Sequence, residues 1–232
     1  MAANNTPRFF VLIPCAGAGS RFGGKSGALP KQYAKIDAKT VLHRTLEVFI
    51  HLPIIEQIII VVNPHDKHID EYAAISPKIV IARVGGEYRA QSVLNGLRYL
   101  SCHGEDWVLV HDAARCCISA ELIQNLIDKV GSHPVGGILA TIATDTIKLG
   151  QSNKILQTLN REQIYLAQTP QMFRYKVLLS ALNNTDLANT TDEAACVEQL
   201  GLEVCLIEGS QRNIKVTYPE DIALAKFYLG VN

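Results

Sequence analysis

Short apolar runs recur along the chain, and helical patterns separate most of them. The runs are rich in Val, Ile and Leu and too short for helices, which is typical of buried β-strands. The predicted strands are residues 9–13, 57–62, 79–82, 107–110, 137–142 and 204–207. Helical spacing predicts helices after Thr40, over residues 90–100 and over residues 122–130. This alternation indicates an α/β fold with a mostly parallel sheet, which binds ligands at the carboxyl ends of its strands.

Two polar pairs indicate where further helices start. Thr190 with Glu193, and Thr217 with Glu220, have the spacing of a capping box before an apolar run. We therefore expect a helix to begin close to each pair.

One region breaks the alternation of strands and helices. Residues 145–168 have the sequence DTIKLGQSNKILQTLNREQIYLAQ, with short alternating stretches around a Gly-Gln-Ser-Asn turn. This pattern predicts a β-hairpin. Since an isolated hairpin is marginally stable in water, it must pack against something. We expect a single domain, residues 1–232, with this hairpin as an excursion within it.

The composition excludes several classes of ligand. The chain of 232 residues is 48% hydrophobic, which is enough for one sizeable core. Its 22 basic and 22 acidic residues give a formal net charge of zero, so no global field attracts nucleic acid or an anionic membrane. We expect a small ligand that is met by a local basic cluster.

Cysteine usage and hydropathy indicate the compartment. The six cysteines are scattered and form no CxxC pair, which favours reduced thiols over a zinc site or a redox couple. We find no secretory signal and no apolar run long enough to span a bilayer. We therefore expect a soluble, cytoplasmic protein.

A glycine-rich stretch follows the first predicted strand. Residues 14–33 have the sequence PCAGAGSRFGGKSGALPKQY. Glycines let the backbone come close to a ligand and turn its N–H groups toward an anion. Arg21, Lys25 and Lys31 add positive charge. The stretch therefore predicts a phosphate-binding loop.

Three types of phosphate-binding loop compete for this stretch. In the dinucleotide motif GxGxxG, Gly17 and Gly19 fit, but the third glycine position falls on Phe22. In a nucleotidyltransferase loop, a glycine-rich segment wraps a nucleoside triphosphate and a later Pro-Lys pair brings a lysine to the α-phosphate. Pro30 and Lys31 stand where that pair is expected.

The Walker A motif is the third type. Residues 19–26, GSRFGGKS, match GxxxxGK[ST], and the apolar run 107–110 resembles the strand of a Walker B motif. A Walker lysine must open a helix whose N-terminus holds the phosphates. Gly27 and Pro30 follow Lys25 too closely for that helix, and they argue against this interpretation.

A carboxylate follows the predicted strand 107–110. Asp112 comes just past this strand and would lie at the ligand edge of the sheet. Magnesium typically takes one or two carboxylates together with phosphate oxygens, so Asp112 is a candidate ligand for Mg²⁺ or another divalent cation. The alternative is an aspartate that caps the next turn.

Seven segments in order carry a resemblance to a known family. They are PCAGAGSRF, PKQY, GGEYRAQSV, VLVHDAAR, AQTPQMF, TDEA and NIKVTYPEDIALA. Over nearly its whole length the chain resembles the 2-C-methyl-D-erythritol 4-phosphate cytidylyltransferases of the non-mevalonate isoprenoid pathway. The resemblance implies a Rossmann-like nucleotidyltransferase fold with a protruding β-arm. It also implies transfer of a cytidylyl group from CTP to a polyol phosphate, with release of pyrophosphate.

The resemblance assigns residues to CTP. Arg21 and Lys31 would stabilise the charge that builds on the phosphates, and Gly86, Glu87 and Ser92 would recognise the cytosine ring. Glu87, or Arg89 beside it, is alternatively an ordinary charge at a helix start. The remaining nucleotide-binding residues implied by the family are Ala16, Gly17, Ala18, Gly19, Ser20 and Ala113.

The second substrate has its own set of implied residues. Arg161 and Lys215 would hold its phosphate, and Asp112, Thr146 and Thr191 would contact the substrate. In the family the arm embraces a second subunit, so residues 145–168 imply a homodimer. Arg161 and Thr146, both in the arm, would then act on the partner's site. His111 is expected to be structural, because a phosphate nucleophile is already ionised and needs no general base.

The chain departs from the family pattern at three positions. Cys116 stands where the family usually has proline, Asn160 where it has aspartate and Tyr165 where it has tryptophan. Two other functions also remain open. Related enzymes load CTP onto ribitol 5-phosphate, and a nucleotide-binding sensor with this fold would not turn over its ligand. A sensor would not need to keep the charges that serve a transition state.

Overall fold

The computed structural model describes residues 6–17, 22 and 29–231. The strands are β1 (Phe9–Pro14), β2 (Lys35–Ile36), β3 (Lys39–Thr40), β4 (Ile55–Val61), β5 (Ile79–Ala82), β6 (Trp107–Val110), β7 (Gly136–Ile142), β8 (Ile147–Gln151), β9 (Lys154–Leu159), β10 (Tyr165–Arg174) and β11 (Cys205–Glu208). The helices are α1 (Val41–Ile50), α2 (Arg89–Tyr99), α3 (Ala120–Val130), α4 (Tyr175–Asn183), α5 (Glu193–Glu198) and α6 (Asp221–Leu229).

Seven strands form one central sheet in the order β11-β7-β10-β6-β1-β4-β5. β1 runs parallel to β4 and β6, β5 runs parallel to β4, and β11 runs parallel to β7. Only β10 is antiparallel to its neighbours, β6 and β7. The six predicted strands are all present with small shifts at their ends, so the predicted α/β class with a mostly parallel sheet is confirmed.

Helices cover both faces of the sheet, which is why its strands are apolar on both sides. Leu42 and Phe49 of α1 and Ile123 of α3 pack on one face. Val93 of α2 and Leu178 of α4 pack on the other. These side chains are fully buried, and each such burial contributes roughly 1.5–3 kcal/mol to folding.

The helix starts agree only in part with the sequence. Thr40 caps α1 as predicted, because its side chain accepts a hydrogen bond from the His43 N–H at 3.1 Å. A helix does begin close to each predicted pair, at Glu193 and at Asp221, but neither threonine caps its helix, so the two capping boxes are wrong. Asp192 caps α5 by accepting from the Ala195 N–H at 3.0 Å, and the Asp221 carboxylate accepts from two backbone N–H groups before α6. A carboxylate is the stronger acceptor for such N–H groups.

The predicted hairpin is present as β8 and β9, which pair only with each other. Its two-residue turn is Ser152–Asn153, with φ values of 49° and 62° that suit such a hairpin. The predicted range is too long, however. From Tyr165 the chain has entered β10 and the central sheet. Alternation indicates a strand but not the strand that it pairs with, so sequence could not separate the two sheets.

One further prediction concerns membranes. No helix in the described ranges combines the length and the hydropathy that a membrane-spanning segment needs.

Candidate active site

A cavity of about 340 Å³ opens at the carboxyl ends of β1 and β6. Ligands bind at this edge in open α/β sheets, and the size suits a small molecule. The lining side chains come from four segments that are distant in sequence. They are Pro14, Cys15, Ala16, Gly17, Phe22, Lys31, Gln32, Gly86, Glu87, Tyr88, Arg89, Ser92, Asp112, Ala113, Ala114, Lys215 and Thr217.

A tight corner before α2 forms one wall of the cavity. A Cβ atom on Gly85 would lie 2.4 Å from the Cβ of Ala16, so only glycine lets these two segments approach. The Gly86 N–H donates to the Ser92 hydroxyl at 3.0 Å, and this hydroxyl donates to the Tyr88 carbonyl at 3.2 Å. Ser92 therefore fixes the shape of the corner, and its hydroxyl hydrogen is already used in a hydrogen bond.

Asp112 lies at the centre of a buried cluster of charges. Its backbone N–H donates to the Thr169 hydroxyl at 3.0 Å, which fixes the residue after β6. Arg89 lies 3.0 Å from Oδ1, Lys215 lies 2.7 Å from Oδ2, and Arg115 lies 3.8 Å from Oδ2. Burial alone would raise the pKa of Asp112, but Arg89 and then Lys215 outweigh it and hold this pKa well below its usual range. The carboxylate is therefore ionised.

Arg89 is the residue of this cluster that sequence reasoning missed. Its guanidinium also binds Glu193, with Nη1–Oε1 at 2.6 Å and Nη2–Oε2 at 3.1 Å, and Glu193 is fully buried. The sequence did contain a signal. A positive charge in the first turn of a helix opposes the helix dipole, so Arg89 at the start of α2 needs a buried partner elsewhere.

Lys31 and Lys215 converge on the same wall of the cavity. The Lys31 ammonium donates to the Val216 carbonyl at 2.9 Å. The Val216 N–H in turn donates to the Ala114 carbonyl at 2.8 Å. These bonds tie the segment that carries Lys215 to the segment that follows β6, so both lysines line the cavity together with Asp112.

His111 has no ring nitrogen free for acid–base chemistry. The neutral ring carries one proton, and the Arg115 carbonyl beside Nε2 can only accept, so Nδ1 of His111 is unprotonated and accepts from the Thr169 hydroxyl at 3.1 Å. Nε2 then carries the proton and donates to the Arg115 carbonyl at 3.2 Å. Burial lowers the pKa of His111 to about 4. The ring is therefore neutral and serves as a strut beneath the cavity.

The predicted site residues divide into three groups. Those that line the cavity are Ala16, Gly17, Lys31, Gly86, Glu87, Ser92, Asp112, Ala113 and Lys215. Those outside its lining are Thr146, Arg161 and Thr191, all of them exposed. Arg161 donates instead to the Thr144 carbonyl at 2.6 Å. The predictions for Ala18, Gly19, Ser20, Arg21 and Lys25 fall outside the described residues. The Walker A hypothesis also falls there.

A mostly parallel sheet with two lysines and an ionised carboxylate at its ligand edge is the arrangement expected of a nucleotide-binding α/β enzyme, and it agrees with the nucleotidyltransferase type. Residues 9–231 match the family model described as IspD: 2-C-methyl-D-erythritol 4-phosphate cytidylyltransferase. The chain belongs to this family, which confirms the resemblance seen in its motifs. It is an enzyme, a cytidylyltransferase, and the dinucleotide-binding, P-loop and sensor hypotheses no longer stand.

Individual relatives agree with the family model. A 2-C-methyl-D-erythritol 4-phosphate cytidylyltransferase of Chromobacterium violaceum is 44% identical over 221 residues, covering 95% of this chain and 97% of that protein. A crystal structure of a 4-diphosphocytidyl-2C-methyl-D-erythritol synthase has a TM-score of 0.84 and 36% identity, covering 96% of this chain and 98% of that one. The Francisella tularensis enzyme has a TM-score of 0.81 and 36% identity, with coverage of 95% and 99%.

Proposed function

We propose that this chain transfers the cytidylyl group of CTP to 2-C-methyl-D-erythritol 4-phosphate. A phosphate oxygen of the acceptor forms a bond to the α-phosphorus of CTP. The bond from that phosphorus to the bridging oxygen breaks, and pyrophosphate leaves with the electron pair. The products are 4-diphosphocytidyl-2-C-methyl-D-erythritol and pyrophosphate. The convergence of Lys31, Lys215 and Asp112 in one cavity carries the proposal.

The lysines supply the positive charge that this reaction needs. Negative charge accumulates on the phosphorus and on the departing pyrophosphate, and fixed cations near them lower the barrier. Lys31 would serve the nucleotide phosphates together with Arg21. Lys215 would serve the acceptor phosphate. No general base is required, which agrees with the neutral, fully bonded ring of His111.

The corner at Gly86 and Ser92 supports selection of cytosine. The Ser92 hydroxyl already donates a hydrogen bond to the Tyr88 carbonyl, so toward the cavity it can act only as an acceptor through a lone pair. The 4-amino group of cytosine can donate to that lone pair, whereas the 4-oxygen of uracil would be repelled by it. Glu87 lines the same wall and would assist this recognition.

Asp112 suits a divalent cation in this cavity. Magnesium is usually held by one or two carboxylates together with substrate phosphates. In the described part of the chain, no three or more His, Cys, Asp and Glu side chains form a metal-binding group. A carboxylate has about four lone-pair sites, and the bonds to Arg89 and Lys215 leave some of them open. Asp112 would hold Mg²⁺ or another divalent cation, which when bound adds positive charge to the triphosphate.

The proposal includes a homodimer joined through the arm, residues 145–168. Ile155 and Leu156 of the arm are 67% and 59% exposed, and among the described residues β8 and β9 pair with no other strand. A second copy of the chain would cover these side chains. Arg161 and Thr146 would then reach the partner's cavity and contact the acceptor, while Thr191 would contact it from the chain that holds the nucleotide.

A cytoplasmic location completes the proposal. Each of the six cysteines, all of them in the described residues, is a free thiol. Free thiols without disulfides fit a reducing compartment.

Release of pyrophosphate from CTP, measured with each candidate acceptor in turn, tests this function. We expect turnover with 2-C-methyl-D-erythritol 4-phosphate and little with ribitol 5-phosphate. Faster turnover with ribitol 5-phosphate would show that this compound is the acceptor. No release of pyrophosphate with any polyol phosphate would contradict the proposal.

A further inference from the structure

A chain of three charges runs from the cavity, where the side chain of Arg89 is 30% exposed, to a fully buried carboxylate in the body of the protein. Arg89 presents one edge of its guanidinium to both oxygens of Glu193. It presents the adjacent edge to Asp112, where Nε and Nη2 each lie 3.0 Å from Oδ1. The side chain of Glu193 is 0% exposed, and that of Asp112 is 10% exposed. Glu193 does not line the cavity, and its carboxylate is joined to the site by its hydrogen bonds to Arg89.

In this arrangement the two oxygens of Asp112 have different partners. Arg89 holds Oδ1, and Oδ2 is left to Lys215 at 2.7 Å. A guanidinium normally takes both oxygens of a carboxylate in a fork. Here Glu193 occupies the Nη1–Nη2 edge of Arg89, and both nitrogens of the remaining Nε–Nη2 edge converge on Oδ1 of Asp112. Without Glu193, Arg89 could turn and take both oxygens of Asp112.

We propose that Arg89 and Glu193 are positioning residues that keep Oδ2 of Asp112 turned toward Lys215 in the cavity. The inference rests on the proposed function, since it concerns how Asp112 serves cytidylyl transfer. Arg89 sets the orientation of the carboxylate, and Glu193 sets the orientation of Arg89.

The position of Glu193 is itself fixed by the central sheet. The Ala194 N–H donates to the Gln171 side-chain oxygen at 2.9 Å, and the Gln171 amide donates to Asp192 at 2.8 Å. Gln171 belongs to β10 and is buried. The start of α5 is therefore tied to the strand beside β6, which gives Glu193 a rigid base from which to hold Arg89.

Stability alone does not account for this pair. The cost of removing two charges from water offsets most of their attraction, and apolar replacements of similar size are often neutral or stabilising. A role in positioning therefore makes a clear prediction. Removing both charges together should leave folding intact and still damage the reaction.

The test is the double variant Arg89→Met with Glu193→Met. We expect a melting temperature equal to that of the unmodified protein or higher, and a kcat lower by about 100-fold, because a small misplacement of a reacting group has an effect of that size. Binding of CTP with Mn²⁺, followed calorimetrically, should weaken by roughly 10-fold, since it draws on the same carboxylate oxygen. A folded double variant with unchanged kcat and unchanged CTP affinity would overturn the proposal.

Single variants keep the test decisive if the double variant does not fold. Glu193→Gln keeps the shape of the side chain but loses its charge, and we expect kcat to fall by roughly 10-fold while the protein stays folded. Arg89→Lys should not restore activity, because an ammonium cannot span both carboxylates as the planar fork does. Full activity in both variants would contradict the positioning role.

Glu105→Gln is the matched control, since it removes an exposed ion pair with Lys176 far from the cavity lining. Its kcat should not change. Failure of the proposed function is distinguishable, because it would appear as no pyrophosphate release by the unmodified protein with the methylerythritol acceptor.

Discussion

The cavity and the arm of this protein are built in opposite ways. Around the cavity every residue of β6 is buried, and Asp112 is held by three cations from its own chain. In the arm every residue of β9 except Leu159 is exposed, and the two strands pair only with each other. The described residues of one chain therefore form the cavity lining, whereas β8 and β9 pair with no other described strand. The lysines should act within their own chain, and the arginine of the arm should act in a partner.

The largest expected effect tests the cavity. Lys31→Ala should lower turnover by about 100-fold or more, because Lys31 lines the same cavity as Asp112 and would stabilise charge in the transition state. Lys25→Ala is the control and should have a mild effect. Steady-state kinetics on both variants measure this difference. A severe defect in Lys25→Ala beside a mild one in Lys31→Ala would contradict the nucleotidyltransferase assignment of the loop.

Mixing two inactive variants tests whether the two regions meet across an interface. An excess of Arg161→Ala subunits is combined with Lys31→Ala subunits under conditions of exchange. If the arm serves the partner's cavity, each heterodimer has one site with both changes and one intact site, so activity should rise several-fold above either parent. Native mass spectrometry checks the exchange independently. Exchange without recovery would mean that Arg161 serves its own chain.

The next effect in size is on the strength of the dimer, and it tests the exposed apolar side chains of the arm. Ile155→Ser should weaken the dimer by about 10-fold or more, since burial of one such side chain is worth roughly 1.5–3 kcal/mol. Sedimentation over a range of protein concentrations measures this shift. Ile75→Ser is the control, as Ile75 is also exposed but lies beside the opposite edge of the sheet. Equal dimer dissociation constants for both variants would show that the arm is not part of the interface.

Nucleotide choice tests the corner of the cavity that one chain builds by itself. Ser92→Ala should lower the preference for CTP over UTP by roughly 10-fold, because the lone pair that rejects uracil is lost. Competition kinetics with both nucleotides measure the ratio. Ser119→Ala is the control, since it removes only the cap of α3 and should reduce stability by about 1 kcal/mol without changing the ratio. An unchanged ratio in Ser92→Ala would contradict its role.

The smallest effect concerns the support beneath the cavity. Burial lowers the pKa of His111 from 6.5 to about 4. Between these pH values the unfolded chain binds a proton at His111 and the folded chain does not. The stability from this residue is complete above pH 6.5 and is lost as the pH falls toward 4, by roughly 3 kcal/mol in all. At pH 5.5 the loss is only about 1.4 kcal/mol. Urea unfolding at pH 7.5 and 5.5 measures the change in the free energy of unfolding between the two pH values. This change should be smaller for His111→Gln than for the unmodified protein, and equal changes would contradict this account.

Local patterns in the sequence were sufficient for the fold class and for much of the cavity. Strand and helix periods depend on neighbouring residues, so the six predicted strands and the cap at Thr40 were found. The glycines before α2 and the carboxylate after β6 also lie next to elements that could be recognised. Parallel strands bring their carboxyl ends to one edge, so the loop after β1 and Asp112 could be expected in one place, whereas Lys215 was assigned to the site through the family resemblance.

Only the tertiary structure decided the pairings between distant residues. The antiparallel strand β10 looked like the end of the hairpin, because alternation does not say which sheet a strand joins. Arg89 looked like a helix-start charge until its partner Glu193, 104 residues away, was seen beside it. The arm is the remaining case. Its sequence determines a hairpin through the turn at Ser152–Asn153, but what the hairpin packs against depends on contacts between surfaces, which no local pattern encodes.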